Sequence, residues 1–132
     1  MTPELTLLAW TLVLALAQIL LASSLRTKET GLSFNMSPRD ADPLPPGRLT
    51  ARAQRAQANL FETLPLFAAA VLIAHGANIH TQWTVLACWL YLGARVVYLP
   101  LYVLGVPVLR SLVWAVSLAG LLMLFWSVLS PL

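Results

Sequence analysis

The sequence predicts an all-α integral membrane protein, a four-helix bundle in which each helix crosses the bilayer once. Of its 132 residues, 59% are hydrophobic and only 10% are charged, whereas a soluble domain carries about 25% charged residues. Four apolar runs are long enough to span about 30 Å of hydrocarbon. Six of the eight lysines and arginines lie between residues 26 and 55, which is typical of a cytoplasmic loop. We expect a single domain over residues 1–132, with lipid as the solvent for most of its surface.

The first span is expected where Leu5 to Leu25 forms a run without charge. A cleaved signal peptide fits this run poorly, because only Glu4 precedes it and the cations Arg26 and Lys28 follow it. Residues 26–47 are polar and rich in proline, so we predict an irregular cytoplasmic loop there.

The second span begins near Arg48 and is long enough, at about 40 Å, for its first turns to protrude into the cytoplasm. Pro65 and Pro100 lie inside the second and third spans and predict bends. Four spans place both termini on the non-cytoplasmic side, and we expect the bacterial inner membrane as the location. The predicted helices cover about residues 4–25, 48–75, 82–104 and 108–130.

A polar stripe descends the second helix into the membrane. Arg52, Arg55, Asn59 and Glu62 are three, four and three residues apart, which puts them on one helical face. Lipid cannot satisfy two cations, an amide and a carboxylate. The stripe therefore predicts a partner, a cavity or a ligand.

Polar residues of the third and fourth helices converge on the same leaflet. Arg95, Tyr98 and Tyr102 share one face of the third helix, and Arg110 opens the fourth. A buried charge needs a counter-ion, so we predict a structural ion pair between Glu62 and Arg95. That pairing leaves a surplus of positive charge, which favours an anionic, partly polar ligand bordered by lipid.

The sequence offers no metal site and no nucleic-acid site. Cys88 is the single cysteine and lies in an apolar run, where it is expected to be a small buried residue. His75 and His80 flank a short outer loop with no third ligand nearby. There is also no separate basic domain that would bind nucleic acid.

The segment from Arg55 to Phe67, Arg-Ala-Gln-Ala-Asn-Leu-Phe-Glu-Thr-Leu-Pro-Leu-Phe, carries a family resemblance. It resembles the signature of the membrane-associated proteins in eicosanoid and glutathione metabolism, the MAPEG family. Arg95, Tyr98 and the later Tyr102 and Arg110 match that family in order and approximate spacing. The resemblance implies a homotrimer that holds glutathione, as a co-substrate, between neighbouring subunits near the cytoplasmic side.

The resemblance also implies residue roles. It assigns stabilisation of the glutathione thiolate to Arg110, and a lipophilic small-molecule electrophile would arrive from the membrane lipid. Thr63 and Ala58 stand where the leukotriene and prostaglandin branches have tyrosine and arginine, so eicosanoid substrates are not implied. Contact with glutathione is implied for Arg26, Arg55, Gln57, Asn59, Glu62, Tyr98 and Tyr102.

Three functions are compatible with these residues. The first is a glutathione-dependent transferase or peroxidase that acts on lipophilic electrophiles. The second is a non-catalytic protein that binds a lipid or a thiol in the same cleft, because a fold alone does not prove chemistry. The third is a small transporter with Glu62 as its proton or cation site. A transporter favours a charge near the midplane, whereas these charges all lie toward one leaflet.

Overall fold

A computed structural model describes residues 1–41 and 43–130. Those residues form helices and no strand, and four of the helices are long and apolar enough to cross a membrane. The predicted all-α architecture with four spans is therefore confirmed. Residues 42, 131 and 132 of the predicted single domain lie outside the described part. The helices are α1 (Pro3–Thr30), α2 (Leu32–Met36), α3 (Arg48–Gly76), α4 (Gln82–Val103) and α5 (Pro107–Leu129).

The four long helices run alternately up and down. At one end, Glu29 near the end of α1 accepts hydrogen bonds from the Gly47 amide and from Thr50 at the start of α3. The Arg52 guanidinium, also near the start of α3, donates to the Val103 carbonyl at the end of α4. We call this end the basic end, because it carries most of the cations of the chain.

The first helix extends further than the sequence predicted. α1 continues through Arg26 to Thr30, so the expectation of an irregular segment beginning at residue 26 was wrong. No proline occurs before Pro38 in this stretch, and Arg26 pairs with Glu29 at 3.0 Å, three residues on, a spacing that stabilises a helix. The helix ends at Gly31, whose φ of 87° is a left-handed conformation that favours glycine.

A short second helix, α2, also occupies part of the predicted loop. Asn35 fixes α2 to the end of α1, because its side-chain amide donates to the Thr27 hydroxyl at 2.6 Å and its side-chain carbonyl accepts from Thr30 at 2.8 Å. Side chains of α1 thus stabilise α2, a helix that the local sequence does not predict. The remainder up to Gly47 is irregular where described, as its prolines predict.

At the opposite end of the bundle, a carboxylate is buried. Glu4 is 2% exposed and accepts a hydrogen bond from the Thr84 hydroxyl at 2.6 Å, and His80 Nδ1 lies 3.6 Å from the same carboxylate. Thr84 belongs to the capping box that begins α4. The start of α1 is therefore joined to the start of α4. Local sequence patterns do not predict this contact, since 80 residues separate Glu4 from Thr84.

The helices pack most closely where α5 crosses α4. A Cβ atom added at Gly120 would lie 2.8 Å from the carbonyl oxygen of Ala87, so only glycine allows this approach. Between α3 and α4, the Phe67 and Tyr91 rings stack with centroids 4.1 Å apart. Cys88 is fully buried, in agreement with the role predicted for it. Small residues and stacked rings therefore fix how α4 sits between α3 and α5.

This packing predicts that Gly120→Ala destabilises the bundle by about 1–3 kcal/mol, because the methyl group would collide with the α4 backbone. Gly93→Ala is the matched control, since an added Cβ at Gly93 meets nothing within 4 Å. That control should be neutral or stabilising by up to about 1 kcal/mol, because alanine favours helix. Thermal unfolding in detergent measures both changes, and equal stability of the two variants would contradict the packing argument.

Candidate ligand site at the basic end of the bundle

Arg95 lies at the centre of the basic half of the bundle. It is 1% exposed, and its guanidinium donates to the Asn59 side-chain oxygen at 2.8 Å and to the Thr63 hydroxyl at 3.2 Å. The guanidinium carbon also lies 4.9 Å from the centre of the Tyr98 ring and 5.8 Å from that of Tyr91, distances at which a ring face attracts a cation. The α4 cation is therefore held by neutral acceptors of α3 and by two aromatic rings.

The predicted ion pair between Glu62 and Arg95 is not present as a direct contact. Among the described residues, close acid–base contacts join Arg26 to Glu29 and Glu4 to His80. Asn59 and Thr63 are one helical turn apart and face α4, whereas Glu62 is rotated from Thr63 by about 100° around the helix axis. Glu62 is exposed on the surface of the single chain, where its carboxylate can meet another molecule.

An open cavity of about 270 Å³ lies beside Arg95, where the end of α4 meets α3 and α5. Tyr98 and Tyr102 are adjacent in it, with ring centroids 5.6 Å apart. We call it the tyrosine cavity. Its lining residues are Asn59, Tyr98, Tyr102, Arg110, Ser111 and Trp114.

Two cations border the ring of Tyr102. The Arg110 guanidinium lies 4.7 Å from the ring centre, and the Arg55 guanidinium lies 5.8 Å from it. Nε of Arg55 also donates to the Tyr102 hydroxyl at 3.1 Å. Arg110 stands in the first turn of α5 and Arg55 near the start of α3, so the tyrosine cavity combines positive charge with phenol and amide groups. Such a cavity can bind an anion that carries polar groups.

A second open cavity, of about 290 Å³, lies on the other side of α3, between α3, α1 and the segment containing α2. We call it the loop cavity. Gln57 points to this side because it is two residues from Asn59, about 200° around the helix. The polar residues that line the loop cavity are Ser23, Arg26, Asn35, Arg39, Gln54 and Gln57.

Arg26 in the loop cavity already has protein partners. Its guanidinium donates to Glu29 at 3.0 Å and to the Leu44 carbonyl at 2.5 Å. Glu29 in turn accepts from Gly47 and Thr50. Arg26 therefore helps to close the base of the segment between α1 and α3, in addition to facing the cavity.

The residues predicted to bind glutathione are thus divided between two cavities of one chain. Asn59, Tyr98, Tyr102 and Arg110 line the tyrosine cavity, and Arg55 contacts it through Tyr102. Arg26 and Gln57 line the loop cavity instead. Glu62 is exposed and lines neither of the two cavities.

The structure adds site residues that sequence reasoning missed. Trp114 follows Arg110 by one helical turn, and Ser111 is the next residue after Arg110. Their positions relative to Arg110 on one helix could have identified both. Asn35 and Arg39 lie in the segment before α3, and Gln54 lies on another face of α3 than the polar stripe. The helical spacing of that stripe therefore does not predict them. Among the described residues, no three His, Cys, Asp or Glu side chains are grouped so that they could hold a metal ion.

Four apolar spanning helices with a one-sided polar site define an integral, multi-pass membrane protein. The chain belongs to the MAPEG family, the membrane-associated proteins in eicosanoid and glutathione metabolism, whose family model matches residues 5–130. Searches of curated proteins and of solved structures gave no significant match. The family membership confirms the resemblance drawn from the segment between Arg55 and Phe67.

The contacts of Arg95 predict a contrast between two substitutions on α3. Asn59→Leu should lower the free energy of unfolding by about 1.5–3 kcal/mol, because it removes the main hydrogen bond to a buried cation. Glu62→Gln should change it by less than half of that, since Glu62 has no direct contact with Arg95. Thermal unfolding of both variants in detergent is the measurement.

A loss of about 3–5 kcal/mol in Glu62→Gln, the size expected for breaking a buried ion pair, would contradict this reading. Partial recovery in the double variant Glu62→Gln with Arg95→Gln would then establish the direct pair after all.

Proposed function

We propose that this protein is a membrane-bound, glutathione-dependent transferase or peroxidase that acts on lipophilic electrophiles. The observation that carries the proposal is the tyrosine cavity, where Arg110 and Arg55 flank Tyr102 beside Tyr98 and Asn59. Membership of the MAPEG family supports glutathione as the polar substrate of this cavity.

The groups at the basic end match the groups of glutathione. The tripeptide carries two carboxylates, one ammonium group and a thiol, and its thiolate form is a further anion. Arg55 and Arg110 supply cations for the anionic groups, while Asn59 and the tyrosines supply hydrogen-bonding groups. Glu62 makes no direct contact with Arg95 and is exposed on the surface of the single chain, so its carboxylate is available to the ammonium group of the ligand.

Arg110 is the residue proposed to act on the reacting sulfur. A thiol with a pKa near 8.5 is mostly protonated at neutral pH, and a nearby guanidinium favours the anion without exchanging a proton itself. In conjugation, the thiolate forms the new carbon–sulfur bond as the leaving group departs with its electron pair, and the thiol proton goes to solvent. The electrophile enters laterally from the lipid, which borders the cavity.

A homotrimer would complete the site. Arg26 and Gln57 line the loop cavity on the other side of α3 from the tyrosine cavity, so one chain does not bring all the proposed ligand contacts together. If the tyrosine cavity of one subunit faces the loop cavity of the next, the two half-sites enclose one ligand. In a closed ring, every subunit then contributes its tyrosine cavity to one ligand site and its loop cavity to the adjacent ligand site. The exposure of Arg55 and Glu62 on a membrane-spanning helix supports an interface there.

The basic end is assigned to the cytoplasm, because cytoplasmic loops of membrane proteins are enriched in lysine and arginine. Glutathione would then enter from the aqueous side, and both chain termini would lie on the opposite side.

The thiolate role predicts that Arg110→Leu lowers the rate of conjugation with a model aryl halide by about tenfold to a hundredfold, a loss of about 1.4–2.7 kcal/mol. Glutathione affinity should stay within a few-fold, since Arg55, Asn59 and the tyrosines remain. The residual activity should rise with pH, because solvent would then set the ionisation of the thiol. Steady-state kinetics against pH and isothermal titration give the two readouts.

Arg55→Leu is the contrasting variant, which removes the same charge from the other side of Tyr102. It should weaken glutathione binding more than it slows turnover of the bound thiol. An unchanged rate and pH profile in Arg110→Leu would refute the thiolate assignment. Absence of glutathione binding by the parent protein would instead favour the non-catalytic lipid-binding function.

The two half-sites predict complementation between subunits. Arg110→Leu damages the tyrosine cavity and Gln57→Leu damages the loop cavity, so each variant alone should be impaired at low glutathione concentration. In a random one-to-one mixture of the two chains, about a quarter of the interfaces combine two intact half-sites. Activity of the co-expressed pair should therefore exceed that of either variant.

The control is co-expression of Arg110→Leu with Arg55→Leu, whose lesions lie in the same half-site and leave no intact interface. Recovery in that control, or its absence in the first mixture, would contradict a ligand site shared between subunits.

A further inference from the structure

We propose that Arg39, in the segment between α2 and α3, binds the glycyl carboxylate of glutathione in the loop cavity. This inference rests on the proposed function and adds to it a specificity-determining residue outside the membrane spans. Arg39 matches none of the residues for which the family resemblance implies a contact, because it lies before the segments of the second, third and fourth spans that carry that resemblance.

The position of Arg39 is fixed by a chain of hydrogen bonds that starts on α1. Thr27 and Thr30 hold the side chain of Asn35. The Asn35 backbone carbonyl then accepts from two nitrogens of the Arg39 guanidinium, Nε at 3.2 Å and Nη2 at 3.1 Å. Although Arg39 is exposed, its charged group is therefore tied through Asn35 to a spanning helix. A guanidinium held in this way loses less conformational entropy when it binds a ligand.

The backbone at Arg39 supports the same arrangement. Its φ of 62° is a left-handed conformation that residues other than glycine rarely adopt. The Arg39 amide donates to the Ser37 hydroxyl at 3.1 Å, which stabilises the turn. This conformation directs the side chain back to α2 and the loop cavity.

The charge balance of the loop cavity identifies the ligand group. Among the described residues, two guanidinium groups and three amide groups line it, and no carboxylate does. The Arg26 charge is offset by Glu29 at 3.0 Å, whereas both acceptor contacts of Arg39 are to a neutral carbonyl. Of the two arginines that line the described part of the cavity, Arg39 is thus the one whose charge remains for an anionic ligand, and a planar guanidinium suits a carboxylate.

The direction of the tripeptide identifies the glycyl carboxylate. In the proposed site the ammonium group of the γ-glutamyl residue binds Glu62, which lies about four helical turns beyond Arg48 at the start of α3. The glycyl carboxylate is at the other end of the tripeptide and would lie toward the aqueous surface. Arg39 stands on that surface, in the segment between α1 and α3.

The test compares glutathione with its glycyl ethyl ester on the full-length protein in lipid nanodiscs. Arg39→Gln should weaken glutathione binding by about fivefold to tenfold and leave binding of the ester within about twofold, because the ester lacks the charge that Arg39 meets. The difference should shrink at high salt, since the contact is exposed to solvent. Arg39→Lys should recover part of the affinity.

Arg48→Gln is the matched control, because it removes the same charge from an exposed arginine of the same region that does not line the cavity. Its glutathione affinity should stay within about twofold of the parent protein. The rate with saturating glutathione should be nearly unchanged in Arg39→Gln, since the thiol end of the ligand is not affected.

The outcomes distinguish failure of the proposed Arg39 contact from failure of the proposed function. If the parent protein binds glutathione and Arg39→Gln binds it equally well, the role of Arg39 is refuted while the proposed function stands. An equal loss for glutathione and for its ester would refute the assignment to the glycyl carboxylate. If the parent protein binds neither compound, the proposed function itself fails.

Discussion

The buried guanidinium of Arg95 sets the arrangement of the basic half of the bundle. A cation inside a membrane-spanning bundle must be compensated, and here Asn59, Thr63 and two tyrosine rings compensate it. Asn59 and Thr63 are one turn apart, so their contacts fix the rotation of α3 about its axis against α4. That rotation turns the Asn59 face of α3 toward the tyrosine cavity and the Gln57 face toward the loop cavity.

The arginines at the basic end fall into two groups according to what they contact. Arg26, Arg52 and Arg95 each donate to a carbonyl or amide oxygen of another segment and so join helix ends or helix faces. Arg110 and Arg55 flank the ring of Tyr102 at the edge of an open cavity, and Arg55 also donates to the Tyr102 hydroxyl. The composition shows the surplus of cations, and only the three-dimensional contacts separate those that join segments of the bundle from those that border the tyrosine cavity.

The sequence predicts the spans and much of the tyrosine cavity because both depend on local patterns. Apolar run length gives the spans, and three- and four-residue spacings bring Arg55 and Asn59 to one face and Tyr98 and Tyr102 to another. Contacts between distant segments lie beyond such patterns. The burial of Glu4 depends on Thr84, and the partner of Arg95 depends on the rotation of α3, which spacing within one helix does not determine. The order of α2 likewise comes from α1 through Asn35.

The Glu29 contacts affect which parts of this chain can change in sequence and length during evolution. Because Glu29 joins the end of α1 to Gly47 and Thr50, the two ends of the intervening segment are held together whatever its length. Lengthening a closed loop costs little free energy, about 0.6 kcal/mol for each doubling. Insertions and substitutions between Gly31 and Pro46 can therefore accumulate without altering the distance between α1 and α3. The proline-rich segment can therefore diverge in length and sequence while the membrane-embedded bundle stays the same.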